Sequence, residues 1–155
     1  MQTEKIIDLA RKRGVIRAAD VEETGASRTL LPHLADKGVL RRVSRGVYAL
    51  VDYQPEHETL LAAAAAVPHG VICLLSALQF HEITTQMPME TWIAIRRGTR
   101  MPTCKGINLQ VVKFTGPAFS EGIEERDTDG IRIRVYSPAK TVVDSFKFRN
   151  RIGLD

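Results

Sequence analysis

Glycines divide the first 50 residues at intervals too short for long helices. Gly14, Gly25 and Gly38 each follow a stretch with helical apolar spacing, and a glycine directly after such a stretch is typical of a helix end. We expect a first helix capped by Thr3, a second over residues 18–24, and a third ending at Gly38. Short helices joined by a glycine-containing turn are the pattern of a helix-turn-helix.

The third helix, within ASRTLLPHLADKG, has two different faces. The inner face should pack on the other helices and consists of Leu30, Leu31, Leu34 and Ala35. The outer stripe consists of Arg28, Thr29, Pro32, His33 and Asp36, and its first half offers side chains that can contact base edges or phosphates. Because Pro32 lacks an amide hydrogen, a short helix capped by Thr29 is favoured over one capped by Ser27.

The segment VLRRVSRGVYAL predicts two short strands around a turn at Ser44-Arg45-Gly46. Arg41, Arg42 and Arg45 flank or occupy this turn. On a winged domain such a hairpin lies along the phosphate backbone or the minor groove, where the planar guanidinium fits well. The alternative is an ordinary surface hairpin with solvated arginines. The residues predicted to contact DNA are Ser27, Arg28, Thr29, His33, Arg41, Arg42, Ser44 and Arg45.

The charge distribution supports a polyanion partner for this part of the chain. Residues 1–50 have ten Lys and Arg against six acids, whereas residues 51–155 have twelve of each, so the whole net charge of +4 lies in the first third. The longest apolar run, residues 60–67, is far shorter than the ~20 residues that span a bilayer, and the N-terminus has no signal-peptide pattern. We therefore expect a cytoplasmic protein without membrane contact.

The second part of the chain has a mixed α and β pattern. We place a DNA-binding domain at residues 1–50, a linker at 51–58 and a mixed α/β domain at 59–155, which makes the fold class α+β. Strands are expected in ETWIAIRRG, INLQVVKF and IRIRVY, with a hairpin turn at Asp129-Gly130. Helices are expected over 56–67 and 74–82 and after Ser137, where Pro138 suits a first helical position. In this last helix Ala139, Val142, Val143 and Phe146 recur at i, i+3, i+4 and i+7, the spacing of an apolar helix face. Apolar residues on more than one side of that last helix predict surplus apolar surface around Phe146 or Phe148.

The chain resembles the AbiEi-type antitoxins, the regulators of type IV toxin-antitoxin systems in abortive infection. The likeness rests on LRRVSRGVYAL, VICLLSALQFHEITTQMP, TWIAIRRGTRMP and GIRIRVYSPAKTVVDSFKFRNRIGLD. It implies a winged helix-turn-helix repressor of its own operon that binds operator DNA with inverted repeats, so two copies are expected to dimerise on one operator. It also implies a second domain that counters a nucleotidyltransferase-like toxin. Family members continue beyond the RNRIGLD stretch, so the second domain is expected to be truncated or naturally short.

Two other classes of function stay open at this point. An enzyme would draw on His57, Glu58, His69, His81, Glu82, Lys140 and Asp144, but these form no known catalytic pattern, and Lys140 with Asp144 is explained by an ordinary i, i+4 ion pair. The best enzymatic alternative, a nuclease, would need an acidic residue followed by a Glu-x-Lys pair to hold magnesium, whereas Glu90 is followed by Thr91 and Trp92. A ligand-responsive regulator would need a pocket in the second domain. Cys73 and Cys104 have no partners at metal-ligand spacing, which indicates reduced cysteines at apolar positions. The sequence predicts no enzyme activity, no cofactor and no metal.

Overall fold

The computed structural model describes residues 1–102, 106–129 and 131–153. Within those ranges the chain forms helices and two β-sheets, one of three strands and one of five, so the mixed helix and strand content agrees with the predicted fold class. Two residues used in the sequence predictions, Cys104 and Gly130, lie outside the described ranges. No helix in the described part of the chain has the length and hydrophobicity needed to cross a membrane.

The N-terminal part combines three helices with a small antiparallel sheet. Its elements are α1 (Gln2–Arg13), β1 (Val15–Arg17), α2 (Ala18–Glu23), α3 (Leu30–Asp36), β2 (Leu40–Ser44) and β3 (Val47–Leu50). The strand order is β1-β3-β2, with both pairings antiparallel. The predicted helices and hairpin are confirmed, whereas β1 was not predicted from the sequence.

The start of α1 differs from the expectation. The predicted cap Thr3 is wrong, because the helix already begins at Gln2 and the Lys5 amide donates to the Met1 carbonyl oxygen at 3.3 Å. Thr3 therefore lies inside the first turn. The end is as predicted: Gly14 has φ 85°, a left-handed conformation that favours glycine, and its amide donates to Ala10 O at 2.8 Å.

Helix α3 begins directly after Thr29, the shorter of the two predicted forms. Pro32 is the third residue of the helix, where its missing amide hydrogen costs no internal hydrogen bond. Leu31 and Leu34 are buried in one cluster with Ile6 and Val21 of α1 and α2. This packing turns the opposite side of α3 outward.

The second part is built on the five-stranded sheet, in the order β6-β5-β4-β8-β7. Strands β4/β8 and β5/β6 are parallel, and β4/β5 and β7/β8 are antiparallel. The elements are α4 (Glu58–Ala66), β4 (Val71–Ile72), α5 (Leu74–Phe80), β5 (Thr91–Arg96), β6 (Leu109–Phe114), α6 (Pro117–Ser120), β7 (Ile123–Thr128), β8 (Ile131–Tyr136), α7 (Pro138–Lys147) and α8 (Arg149–Ile152).

Helix α7 has the predicted start but packs with an unexpected face. Ser137 is the N-cap, and its hydroxyl accepts from the Lys140 amide at 3.3 Å. The buried residues are Thr141, Asp144 and Ser145, all polar, while the apolar residues Val142, Val143 and Phe146 are exposed. Thr141 and Asp144 can be buried because Thr141 Oγ1 donates to Tyr136 O at 3.2 Å and Asp144 is paired with Lys140, whereas the buried Ser145 Oγ has no hydrogen-bond partner among the described residues. The surplus apolar surface predicted near Phe146 is thus present, while Phe148 is partly buried against Phe114.

The predicted linker has no helix or strand over residues 51–57, yet the parts on either side of it pack together. Val15 and Val47 of the small sheet share one buried cluster with Leu61 of α4 and with Ile131 and Ile133 of β8. This cluster is an apolar contact across the predicted boundary, whose position at residue 50 stays a prediction.

Candidate nucleic-acid interface

The outer face of α3 and the turn before it are exposed to solvent. Ser27, Arg28, Thr29 and His33 are all exposed, while Leu31 and Leu34 anchor the opposite face. The Ser27 and Thr29 hydroxyl groups lie 2.7 Å apart and share a hydrogen bond, which shapes the turn that leads into the helix. The structure therefore brings these four predicted residues together on one surface.

Arg28 is only loosely held on this surface. Its Nη1 lies 3.7 Å from Glu22 Oε1, and both side chains are more than half exposed. An exposed pair at this distance contributes little to stability. The guanidinium is therefore available for another acceptor at small cost.

The hairpin of β2 and β3 turns at Arg45 and Gly46, as the sequence predicts. Gly46 has φ 73°, which suits a tight hairpin turn. The register shifts between Arg42 and Ser44, so that Val43 forms a β-bulge. Arg42 and Arg45 are both exposed, and the hydrogen bond that Arg42 makes to the described residues is long, 3.4 Å from Nε to Ser44 O.

Arg41 and Ser44 face α4 instead of solvent. Arg41 forms a bidentate pair with Glu58, with N–O distances of 3.0 and 2.5 Å, and its Nη2 also donates to Tyr53 O at 2.8 Å. The hydrogen bonds from Arg41 lower the pKa of Glu58, and those to Glu58 raise the pKa of Arg41. Ser44 Oγ donates to Ala62 O at 3.1 Å. The predicted role of these two residues in DNA contact stays a prediction, but both already have partners inside the chain.

Sequence reasoning missed the partners that hold the hairpin in place. Glu58 was considered only as a candidate catalytic residue, and Tyr53 lay unremarked in the predicted linker. The Tyr53 hydroxyl also donates to Asp129 Oδ1 at the turn between β7 and β8, and this hydrogen bond raises the pKa of Tyr53. No local signal identifies these contacts, since 17 residues separate Arg41 from Glu58 and 76 separate Tyr53 from Asp129.

The candidate catalytic residues of the second part do not lie together: Glu58 is paired with Arg41, His69 lies between α4 and β4, and the others are divided between two further places. Lys140 Nζ and Asp144 Oδ2 form the predicted i, i+4 ion pair at 2.6 Å. A shallow cleft of about 390 Å³ is lined by Glu56, His57, Phe80, His81, Glu82 and Arg126. His81 Nε2 is engaged with Tyr136 O at 2.8 Å. Among the described residues no three His, Cys, Asp or Glu side chains converge as a metal site would require.

The buried Cys73 behaves as the sequence predicts. It is a free cysteine in the core, and burial raises the pKa of its thiol. A thiol in this state is unreactive, because the thiolate is the nucleophilic form.

The architecture has a counterpart among solved structures. The crystal structure of the RV2827C protein from Mycobacterium tuberculosis is similar with a TM-score of 0.61 and 17% sequence identity, over 93% of this chain and 59% of that chain. At this identity the likeness shows the fold alone, and this chain spans 59% of that protein's length. No curated protein matches the chain.

A family model matches the segment that contains the exposed α3 face and the hairpin. The match covers residues 4–51, from the first helix to the end of β3, and the family is described as a transcriptional regulator, the AbiEi antitoxin. The resemblance that the sequence indicates is thereby confirmed for the N-terminal segment, where residues 4–51 match the model of this family.

Proposed function

We propose that the chain is an antitoxin-type transcriptional regulator, located in the cytoplasm, that binds the operator DNA of its own operon. Residues 1–50 act as a winged helix-turn-helix domain, and the part from residue 59 onward counters a nucleotidyltransferase-like toxin. One observation supports this most: the exposed outer face of α3 and the exposed arginines of the hairpin lie in the segment that matches the regulator family.

The two surfaces suit different contacts with duplex DNA. Helix α3 presents Arg28 and His33, whose donors match base edges in the major groove. The hairpin presents Arg42 and Arg45, which suit phosphates or a narrow minor groove. Arg41 serves here as a positioning residue, because its pairing with Glu58 fixes β2 against α4. An operator with inverted repeats would then bind two copies.

Replacing Arg42 and Arg45 together by Gln tests the hairpin. Each lost phosphate contact lowers the slope of log K against log salt by about 0.9, so the double variant should lose about 1.8 on both random duplex and the region upstream of its own gene. The measurement is fluorescence anisotropy at several salt concentrations. Arg126→Gln with Arg132→Gln is the matched control, since it removes the same charge from β7 and β8. An unchanged slope in the hairpin variant would remove the hairpin from the interface.

Substitution of Arg28 or His33 by Ala tests the helix separately. Base contacts specify sequence while phosphate contacts position the protein, so the ratio of operator to random affinity should fall about tenfold. Both side chains are exposed, and the circular dichroism spectrum should not change. An equal loss on operator and random DNA would assign α3 to backbone contact alone.

The toxin partner is tested by co-expression with the nucleotidyltransferase-like protein expected from the neighbouring reading frame. The hairpin variant should still restore growth, because the proposal places DNA binding and toxin neutralisation in different parts of the chain. Loss of both activities in this variant would contradict that division.

A ligand-responsive regulator without a toxin is the second candidate, and one observation favours it. The cleft beside His57 and His81 lies next to Glu58, which holds Arg41 of the hairpin. A small molecule bound there would act on the hairpin through this pair. A metabolite that weakens duplex binding in the parent protein but not in His57→Ala would favour this candidate.

A further inference from the structure

A second group of cations meets at the edge strand β6, far along the chain from the proposed DNA-binding segment. A cleft of about 330 Å³ is lined by Arg97 after β5, Lys113 of β6 and Arg151 of α8, together with Met101, Val111, Val112 and Phe148. These residues come from three separate segments, so the sequence alone does not place them together. Among the residues that the structure describes, no Asp or Glu lines the cleft.

The three cations have no carboxylate partner among the described residues. Arg97 Nε donates to Thr115 Oγ1 at 3.3 Å, and Arg151 Nη2 donates to Val111 O at 3.3 Å. The sequence explains this, because no acidic residue occurs over 96–113 or over 145–153. The acids of the second part are instead concentrated over 121–129, on the opposite edge of the sheet, where Glu124 and Glu125 pair with Arg126 and Arg132. Although the net charge over 51–155 is zero, cations without acidic neighbours in the described part of the chain therefore lie at the β6 edge of the sheet and the acids are concentrated at the β7 edge.

In the N-terminal part, by contrast, several arginines have carboxylate neighbours. Arg13 and Arg17 share Asp20, Arg28 lies near Glu22, and Arg41 is bound to Glu58. Three of these arginines, Arg13, Arg17 and Arg41, are therefore held by carboxylates, and the pair with Glu58, which lies outside residues 1–50, offsets one of the four excess charges. Because its cations lack carboxylate partners among the described residues, the cleft at β6 is a stronger candidate for binding an anion from outside the chain than the zero net charge of residues 51–155 indicates.

The residues that line the cleft indicate which class of anion it is suited to bind. Phe148 is partly buried, with its ring 5.8 Å from that of Phe114, and it borders the cleft beside Met101. Cations beside an aromatic and apolar wall suit a chain of phosphates whose bases are free to stack, which is the arrangement of single-strand-binding grooves. A duplex keeps its bases stacked inside and offers none to such a wall. We propose that this cleft is a binding site for single-stranded nucleic acid, with phosphates at Arg97, Lys113 and Arg151 and a base against Phe148.

Titration with an oligothymidylate of about 12 nucleotides tests the proposal, a length within the site size of one single-strand-binding fold. The full chain is compared with Arg97→Gln plus Lys113→Gln, and Arg151 is kept because its guanidinium lies 5.8 Å from the Trp92 ring and helps to pack α8. The variant should bind about tenfold more weakly at low salt, with a salt slope reduced by about 1.4, since each single-strand phosphate contact contributes about 0.7. Trp92, the sole tryptophan, should report binding by a change in fluorescence that weakens in the variant.

Two further proteins separate this site from the hairpin. Arg126→Gln with Arg132→Gln removes equal charge from the opposite edge and should leave oligothymidylate affinity within about twofold of the parent, as expected for cations already paired at the surface. The hairpin variant should likewise keep oligothymidylate binding while losing duplex binding. The proposal would be overturned if a duplex of matched length bound the cleft as tightly as oligothymidylate does. It would also be overturned if the control variant lost as much oligothymidylate affinity as the cleft variant, or if the hairpin variant alone lost it. Failure of operator binding in the parent protein would contradict the proposed function and leave this result standing.

Discussion

Neighbouring arginines in β2 should have separable roles, and the structure allows this to be tested with one matched pair of substitutions. Arg41 makes two hydrogen bonds to Glu58 and one to Tyr53 O, and its side chain and that of Glu58 are 27% and 28% exposed. Arg42 is exposed. Arg41→Met removes the guanidinium but retains an apolar stem, and Arg42→Met does the same one residue further on.

The expected cost of Arg41→Met follows from the lost contacts. Hydrogen bonds to charged groups contribute about 1.5–3 kcal/mol when buried, and partial exposure places this pair near the lower end, at about 2 kcal/mol. For a chain of this length each kcal/mol shifts the melting temperature by about 2–4 °C, so a decrease of about 4–8 °C is expected. Arg42→Met should change stability by less than about 0.5 kcal/mol.

The pH dependence provides an independent check on the same pair. Because Arg41 lowers the pKa of Glu58 from its ordinary value of 4.5, the pair stabilises the fold fully above that pH and loses its effect as the pH falls through the folded pKa. The stability difference between the parent protein and Arg41→Met should therefore be constant near neutral pH and shrink below 4.5.

Urea unfolding, followed by Trp92 fluorescence and by circular dichroism, measures the stability of each variant. DNA titrations at several salt concentrations measure the salt slope of binding. Arg42→Met should lower the salt slope by about 0.9 and leave stability unchanged. Arg41→Met should lower stability and leave the salt slope unchanged. A lower slope and unchanged stability in Arg41→Met would refute the reasoning, because Arg41 would then contact phosphate instead of Glu58.

Four further substitutions test the packing. Gly14→Ala should lower the melting temperature by several degrees, because φ is 85° and the added Cβ would lie 2.7 Å from the Tyr53 hydroxyl oxygen; an unchanged thermal transition would contradict the close approach of Tyr53 to this glycine. Lys140→Met should cost about 3 kcal/mol in urea unfolding, since it leaves Asp144, with a side chain only 8% exposed, without its ion-pair partner; a neutral effect would mean that water reaches this carboxylate. Phe146→Ser should stay within about 0.5 kcal/mol because the residue is 66% exposed, whereas Phe148→Ala should cost about 2 kcal/mol or more through its lost contact with Phe114; the reverse order would show that α7 is rotated.

Local sequence patterns predicted the N-terminal elements well because their signals are local. Glycine at positive φ after α1, proline early in α3 and a tight turn before β3 depend on residues close in the chain. Strand β1 was missed because three residues between two helices have no measurable periodicity, and its strand geometry comes from pairing with β3, whose residues lie 30 to 34 positions later. The two-residue strand β4 was missed for the same reason.

The exposure of the α3 side chains was predicted correctly because it follows from helix periodicity, whereas the inward contacts of the hairpin were missed because their partners are distant in the sequence; the contacts with DNA stay a prediction. Exposure of Arg28 and His33 follows from the burial of Leu31 and Leu34. The inward direction of Arg41 depends on Glu58, and nothing within a strand-length window indicates it. Helix α7 is the clearest failure of periodicity, because Lys140 and Asp144 satisfy each other on its buried side and leave the apolar side free.

The apolar cluster formed by Val15, Val47, Leu61, Ile131 and Ile133 limits how the N-terminal segment can be exchanged between relatives. A graft that ends at Leu50 would expose both valines and separate Arg41 from Glu58. The smallest transferable unit of this chain therefore extends through α4 to Ala66, and its new host must supply an apolar strand to replace β8. Chimeras joined at the apparent linker would therefore be unstable because they lose this apolar cluster, even where each half is intact.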